Sequence, residues 1–104
     1  MNEDNFAVRL AQLRTQRGCS ARDMSLSLGQ SESYINKIEN KRTFPSIPAF
    51  FYICEFLGIT PQDFFEEGNR YPECLRGLME DLKMLDDRAL ESVSRVVKEL
   101  VRKK

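Results

Sequence analysis

Ser20–Arg42, SARDMSLSLGQSESYINKIENKR, reads as two short helices joined by a tight turn at Gly29 and Gln30, the arrangement of a helix-turn-helix. Ser20 can cap the first helix by accepting from a free backbone N–H, and Met24 with Leu28 forms an i, i+4 apolar pair facing inward. Gly29 stands where a helix ends and the chain takes a positive φ. Ser31 is the expected cap of the second helix, and Ile35 and Ile38 supply its inward stripe. Glu32, Ser33, Asn36, Lys37 and Asn40 then fall on the opposite, polar face.

Working outward, an all-α architecture of seven helices is expected, with neither strand nor internal repeat. Helix one, from about residue 4 to 17, carries Phe6, Leu10 and Leu13 at i, i+4 and i+7, and Gly18 stops it. Helix four should run from Ser46 to Leu57, with Gly58 beyond its end. Thr60 and Pro61 provide the cap and first position of a fifth helix through Phe65. From about Tyr71 a tail divides at Leu85 and Asp86 into two helices, the second capped by Asp86 or Asp87 and ending in RKK, as the helix dipole favours. The expected division is a helix-turn-helix domain over 1–68 and a C-terminal helical hairpin over 69–104.

Two apolar surfaces need covering. Leu90, Val93, Val97 and Leu100 recur at spacings of three and four in the last helix, to be buried on the parent domain or on a second chain. Helix four is apolar nearly all round. Ile47, Phe50, Phe51, Ile53, Cys54 and Leu57 supply an inward face, and Tyr52 and Phe56 extend it, to dock the tail or a partner subunit or to enlarge a single core.

Between about Phe6 and Phe65, roughly two thirds of the sequence, the chain resembles the lambda-type phage repressor and Cro (XRE-like) family of bacterial and phage transcriptional regulators. The resemblance rests on Leu13, Arg14, Gly18, Ser20, Gly29, Ser31, Ile35, Ile38, Glu39, Pro45, Ser46, Leu57, Gly58 and Ile59. It implies a five-helix lambda-repressor-like DNA-binding domain, here followed by a C-terminal two-helix extension. Three positions depart from the pattern: Ala21 replaces a Gln, Ser25 an Ala, and Lys41 the Gly after helix three. Ala21 removes one phosphate contact of the pattern, and Lys41 is expected to shift the left-handed cap onto Asn40.

By the same resemblance, Glu32, Ser33, Asn36 and Lys37 face the bases. Lys37 could donate to guanine O6 and N7, Asn36 could pair with adenine N6 and N7, and Glu32 could accept from cytosine N4. Glu32 also suits the first turn of a helix for its dipole alone, and Lys37 suits any solvated surface. Ser31 and Ser33 could hold phosphate oxygen, Arg42 and Thr43 could grip the DNA backbone, and Arg22 and Lys41 are weaker phosphate candidates. The positions of Arg14 and Glu39 form, in the resembling family, an ion pair joining helix one to helix three.

Sixteen basic and sixteen acidic side chains leave no net charge, and residues 1–68 hold seven basic against nine acidic ones. This is not the global basic excess of an indiscriminate nucleic-acid binder, and DNA affinity has to come from local patches. Cys19, Cys54 and Cys74 have no CxxC spacing and there is no histidine, so no metal or other cofactor is expected. Lack of histidine, of a Gly-rich phosphate loop and of inward carboxylates points away from an enzyme. The acidic start MNEDNF has no apolar signal region and no stretch is long enough to span a membrane, pointing to a cytoplasmic protein. The sequence thus favours a sequence-specific transcriptional regulator, a homodimer on double-stranded palindromic DNA. An antitoxin-like or adaptor module with a protein partner is the alternative that Ala21, Glu32 and the acidic domain support.

Overall fold

The computed structural model describes residues 1–103 as seven helices with no strand: α1 (Glu3–Gln16), α2 (Ala21–Ser27), α3 (Tyr34–Glu39), α4 (Ile47–Leu57), α5 (Pro61–Phe65), α6 (Pro72–Leu82) and α7 (Asp87–Arg102). Lys104, the last residue of the expected RKK ending, lies outside the described residues. The chain divides into two compact units, Met1–Glu73 and Cys74–Lys104.

The first unit is built around one core drawn from all five of its complete helices and the segment after α4. Phe6, Leu10 and Leu13 of α1 meet Met24 of α2, Ile35 and Ile38 of α3, Phe50, Ile53, Cys54 and Leu57 of α4, then Ile59 and Phe64. Helices α1, α3 and α4 contribute residues three or four apart, which is what a 3.6-residue repeat requires of a buried stripe, while α2 and α5 add Met24 and Phe64 singly. In α4 the stripe is Phe50, Ile53, Cys54 and Leu57 only. The expectation that Ile47 and Phe51 also face inward is corrected: they are 69% and 53% exposed. Phe51 lies one position off the stripe, and Ile47 is the first helical residue, at the open end of an aromatic groove lined also by Phe6, Phe44, Phe50 and Phe65.

The helix ends are set by local chemistry. Asn2 caps α1 in a reciprocal box with Asn5, Ser46 accepts from the Ala49 N–H ahead of α4, and Thr60 with Asp63 boxes α5 behind Pro61. Helix four accordingly begins at Ile47 rather than Ser46, with Ser46 as its cap.

Four helices, α1 to α4, terminate in the same way. The residue after the turn donates five positions back, as from Gln30 N–H to the Ser25 carbonyl at 3.0 Å and from Arg42 N–H to the Lys37 carbonyl at 2.9 Å. This closure puts its pivot residue in the left-handed region. At Gly29, φ is 74° and no Cβ is present to oppose it. After α3 the pivot is Lys41, at φ 64°, and the expectation that Asn40 takes this role is corrected. Asn40 remains near-helical at φ −93° because its N–H still bonds to the Asn36 carbonyl and its amide donates to the same oxygen at 2.9 Å. The reversal is therefore displaced onto the next residue, where a side chain is strained by roughly 1 kcal/mol.

The second unit contains α7 and all but the first two residues of α6. Asp86 caps α7, accepting from Ala89 N–H at 2.8 Å. None of the residues of α7 is buried, and Leu90, Val97 and Leu100 stand 42%, 49% and 64% exposed, with Val93 half-buried.

Candidate nucleic-acid interface

Helix α3 is six residues long, and its placement is controlled from both ends. At its C-terminal end Glu39 is gripped by Arg14 of α1 in a bidentate pair, with Nε to Oε2 at 2.7 Å and Nη2 to Oε1 at 2.9 Å. The third guanidinium nitrogen of Arg14 donates to the Cys19 carbonyl at 2.9 Å, so the same side chain also fixes the chain entering α2. Both side chains are less than a fifth exposed, and the hydrogen bond to Glu39 raises the Arg14 pKa above its ordinary value.

The N-terminal end is arranged differently from the sequence expectation. Helix three does not begin behind a Ser31 cap. Ser31 to Tyr34 is a turn, closed by Tyr34 N–H to the Ser31 carbonyl at 3.0 Å, and the helix proper starts at Tyr34 with Ser33 in the cap position but making no capping bond. Glu32 and Ser33 consequently sit in the turn ahead of α3 rather than in its first turn. The acceptor comes instead from α2: the Ser25 hydroxyl, fully buried, receives the Ile35 N–H at 2.9 Å and itself donates to the Ala21 carbonyl at 2.7 Å.

With Ile35 and Ile38 buried and Glu39 held by Arg14, the exposed face of α3 consists of Asn36, Lys37 and the capping Asn40. Asn36 is oriented by Asn40, whose amide donates to its Oδ1 at 2.6 Å, and the Asn36 side chain is exposed. The Lys37 side chain makes no hydrogen bond or ion pair among the described residues, and neither does Arg42. Thr43 donates weakly to its neighbour's carbonyl, Phe44 O, at 3.4 Å. The remaining cations already have acidic companions. Arg22 pairs with Glu32 at 3.2 Å and Lys41 with Asp4 at 3.1 Å. All four of those side chains are about half exposed or more, so the pairs are worth little in water and exchange readily for another anion.

The structure therefore gathers Lys37, Lys41, Arg42, Thr43 and Asn36 on α3 and the loop that follows it, and sets Arg22 against Glu32 at the other margin. The Tyr52 and Phe56 pair does not share one environment. Tyr52 is 63% exposed, whereas Phe56 is half-buried beneath the Arg17 guanidinium, 5.1 Å from its ring centre. Arg17 also reaches Glu73 at 2.9 Å.

Two supporting groups escape sequence reading. Ser25 looks like a tolerated small residue, and only the position of Ile35 reveals its use. Arg9, 4% exposed, sends Nε to the Phe64 carbonyl at 2.8 Å and Nη2 to those of Asp63 at 2.8 Å and Glu66 at 3.1 Å, satisfying the end of α5. Burial lowers the Arg9 pKa, opposed by Glu67, Glu66 and Asp63. The one available hint was a charge on the apolar side of α1, between Phe6 and Leu13.

Cys54 is buried and its thiol is pushed up to about 11 by desolvation, then by Asp63, while Cys74 is exposed. Among the described residues no group of three or more acidic, cysteine or histidine side chains is placed to hold a metal ion, and no helix is long and apolar enough to cross a membrane.

Comparison with curated proteins gives no match. Among solved structures, the chain is similar to the clp gene regulator ClgR from Corynebacterium glutamicum, with a TM-score of 0.59 over 88% of this chain and 92% of that one. At 24% identity, that likeness is one of fold. A family model described as a helix-turn-helix domain matches residues 7–70, which is more than half of the chain and includes α2, α3 and their turn. The protein belongs to the helix-turn-helix domain family.

Proposed function

We propose that this protein is a DNA-binding transcription regulator, and more specifically a repressor that reads a palindromic operator as a homodimer through α3 in the major groove. The observation that carries this reading is the mounting of α3: a short helix anchored at both ends by buried or half-buried polar contacts, whose outer face holds only polar groups. Rigid presentation of an uncrowded polar face is what direct readout of base edges needs.

In this reading Asn36 and Lys37 contact bases, with Glu32 and Ser33 at the near edge, while Lys41, Arg42, Thr43, Ser31 and Arg22 meet phosphates. Each good bidentate base contact contributes about 1 to 3 kcal/mol of discrimination. Phosphate contacts set register and salt dependence. Glu32 has to leave Arg22, or carry it along, when DNA arrives. The apolar stripe Leu90, Val93, Val97 and Leu100 of α7, largely exposed, is taken as the dimer contact with a second copy. A dimer on a palindromic site presents its two recognition helices to major grooves about 34 Å apart.

The adaptor reading is favoured by one observation, the groove of about 410 Å³ in which Phe44, Ile47 and Phe65 stand roughly half exposed or more. Fluorescence anisotropy on a random-sequence duplex pool at about 50 and 200 mM salt, followed by sequencing of the bound fraction, separates the two. The regulator reading expects an enriched palindrome and a steep loss of affinity with salt, both abolished or much reduced in Lys37→Ala. No binding at low salt would overturn it in favour of a protein partner.

A further inference from the structure

We infer that Ser25 is a positioning residue for recognition by α3, its hydroxyl acting as the N-terminal cap of that helix from across the turn; this rests on the reading of α3 as the helix that meets DNA. A helix leaves its first N–H groups without internal partners, and a side chain at the cap position ordinarily accepts from one of them. Ser33 occupies that position and makes no such bond. The Ile35 N–H is directed to the Ser25 oxygen at 2.9 Å, between residues ten positions apart.

Both partners of this bond are fully buried, so water cannot substitute for the hydroxyl. The hydroxyl proton is committed to the Ala21 carbonyl at 2.7 Å, which orients a lone pair of the oxygen toward Ile35. Carbonyl, hydroxyl and amide thus form a chain running from the first turn of α2 to the start of α3, each bond polarising the next. Among the described residues no other buried side-chain hydrogen bond joins α2 to α3.

Together with the Arg14–Glu39 pair, this bond holds α3 at residues 35 and 39, one helical turn apart. Asn36 and Lys37 lie between the two attachments. Rotation of α3 about its axis, or a tilt that lifts its N-terminal end, would break one attachment or the other. Directional contacts to base edges demand side chains held to within about half an ångström, whereas contacts to phosphate tolerate more. Loss of the hydroxyl should therefore reduce sequence discrimination more than overall DNA affinity.

The test compares wild type with Ser25→Ala, Ser25→Cys and a control core change, Ile53→Val, in the full chain. Two quantities are read: hydrogen exchange of individual amides by NMR, and the ratio of affinities for the selected duplex and a scrambled one. In Ser25→Ala the Ile35 amide should exchange about tenfold faster or more, relative to the Leu10 and Ile53 amides, and the affinity ratio should fall about tenfold while affinity for scrambled DNA changes less than threefold. Ser25→Cys adds the modest extra bulk of sulfur over oxygen and keeps a weak acceptor, so its effect should be intermediate; it also serves if the alanine variant does not fold. Ile53→Val should leave the ratio unchanged. A ratio in Ser25→Ala within twofold of wild type, or no lower than in Ile53→Val, overturns the inference. If wild type shows no sequence preference, the proposed function has failed instead, and the exchange measurement alone decides: acceleration centred on Ile35 retains Ser25 as the cap of α3, and unchanged exchange removes it.

Discussion

Leu10 in α1 and Leu100 in α7 occupy similar places in amphipathic stripes, yet the first is fully buried and the second is 64% exposed. Their two units meet the requirement to bury such stripes differently. In Met1–Glu73 five short helices close on one another, and the stripes of α1, α3 and α4 meet in a single core. In Cys74–Lys104 the longest helix of the chain buries none of its residues. Amphipathic periodicity specifies a need for a partner without specifying which surface supplies it. A helix gains most of its stability from packing rather than from propensity, so α7 gains much of its own from whatever covers it.

The largest effect expected of any single change is in the first core. Leu10→Ala should lower the unfolding free energy by about 3 to 4 kcal/mol in urea denaturation, since it leaves a cavity among five helices. Leu100→Ala in dilute solution should change it by less than about 0.5 kcal/mol. Equal losses would show that Leu100 is as fully covered as Leu10. Arg9→Ala should follow, at about 2 to 3 kcal/mol, because the Phe64 carbonyl loses its donor and the Asp63 and Glu66 carbonyls each lose one of two, and Arg14→Ala somewhat lower at about 2 kcal/mol, its pair being partly solvated. Arg88→Ala, on the exposed side of α7, is the reference for both; a melting temperature shared by Arg14→Ala and Arg88→Ala would remove the structural role of the ion pair.

Val97→Asp addresses the second unit directly. Sedimentation equilibrium should show weakened self-association by about 2 kcal/mol, the value of one buried valine, with the urea midpoint of the first unit unchanged. A wild type that is monomeric at high concentration would reassign the α7 stripe to a different partner.

Lys41→Gly is expected to stabilise the protein by about 1 kcal/mol, because it relieves the left-handed strain and gives up only an exposed pair with Asp4. The smallest effect is at the thiols. Cys74 should react with a disulfide reagent at once, and Cys54 only upon unfolding. Because the folded state raises the Cys54 pKa from 9.0 to about 11, it holds that proton more tightly than the unfolded chain does. The resulting stabilisation is complete below pH 9 and is lost as the pH rises toward 11, which urea titrations at pH 8 and pH 10.5 would detect.

The order of the helices and most of their ends are written in the local sequence. Ser20, Ser46, Thr60 and Asp86 do as caps what their types dictate, and Gly18, Gly29 and Gly58 reverse the chain where they stand. These are interactions over three to five residues, fully encoded in the local order of the chain. The stripes of α1 and α3 were equally legible, because a period of 3.6 residues is a local property too.

Where buried polar groups find their partners depends instead on how distant segments pack. Nothing near Ser25 indicates that its oxygen meets the Ile35 amide ten residues on, and nothing near Arg9 indicates three carbonyls more than fifty positions away. The same holds for Ile47 and Phe51, apolar by type and left at the surface, and for Lys41, forced into a left-handed turn because the bonds of Asn40 keep that residue in the helix. A side chain's type fixes how many partners it needs, but only the packing of distant segments fixes which atoms are close enough to serve.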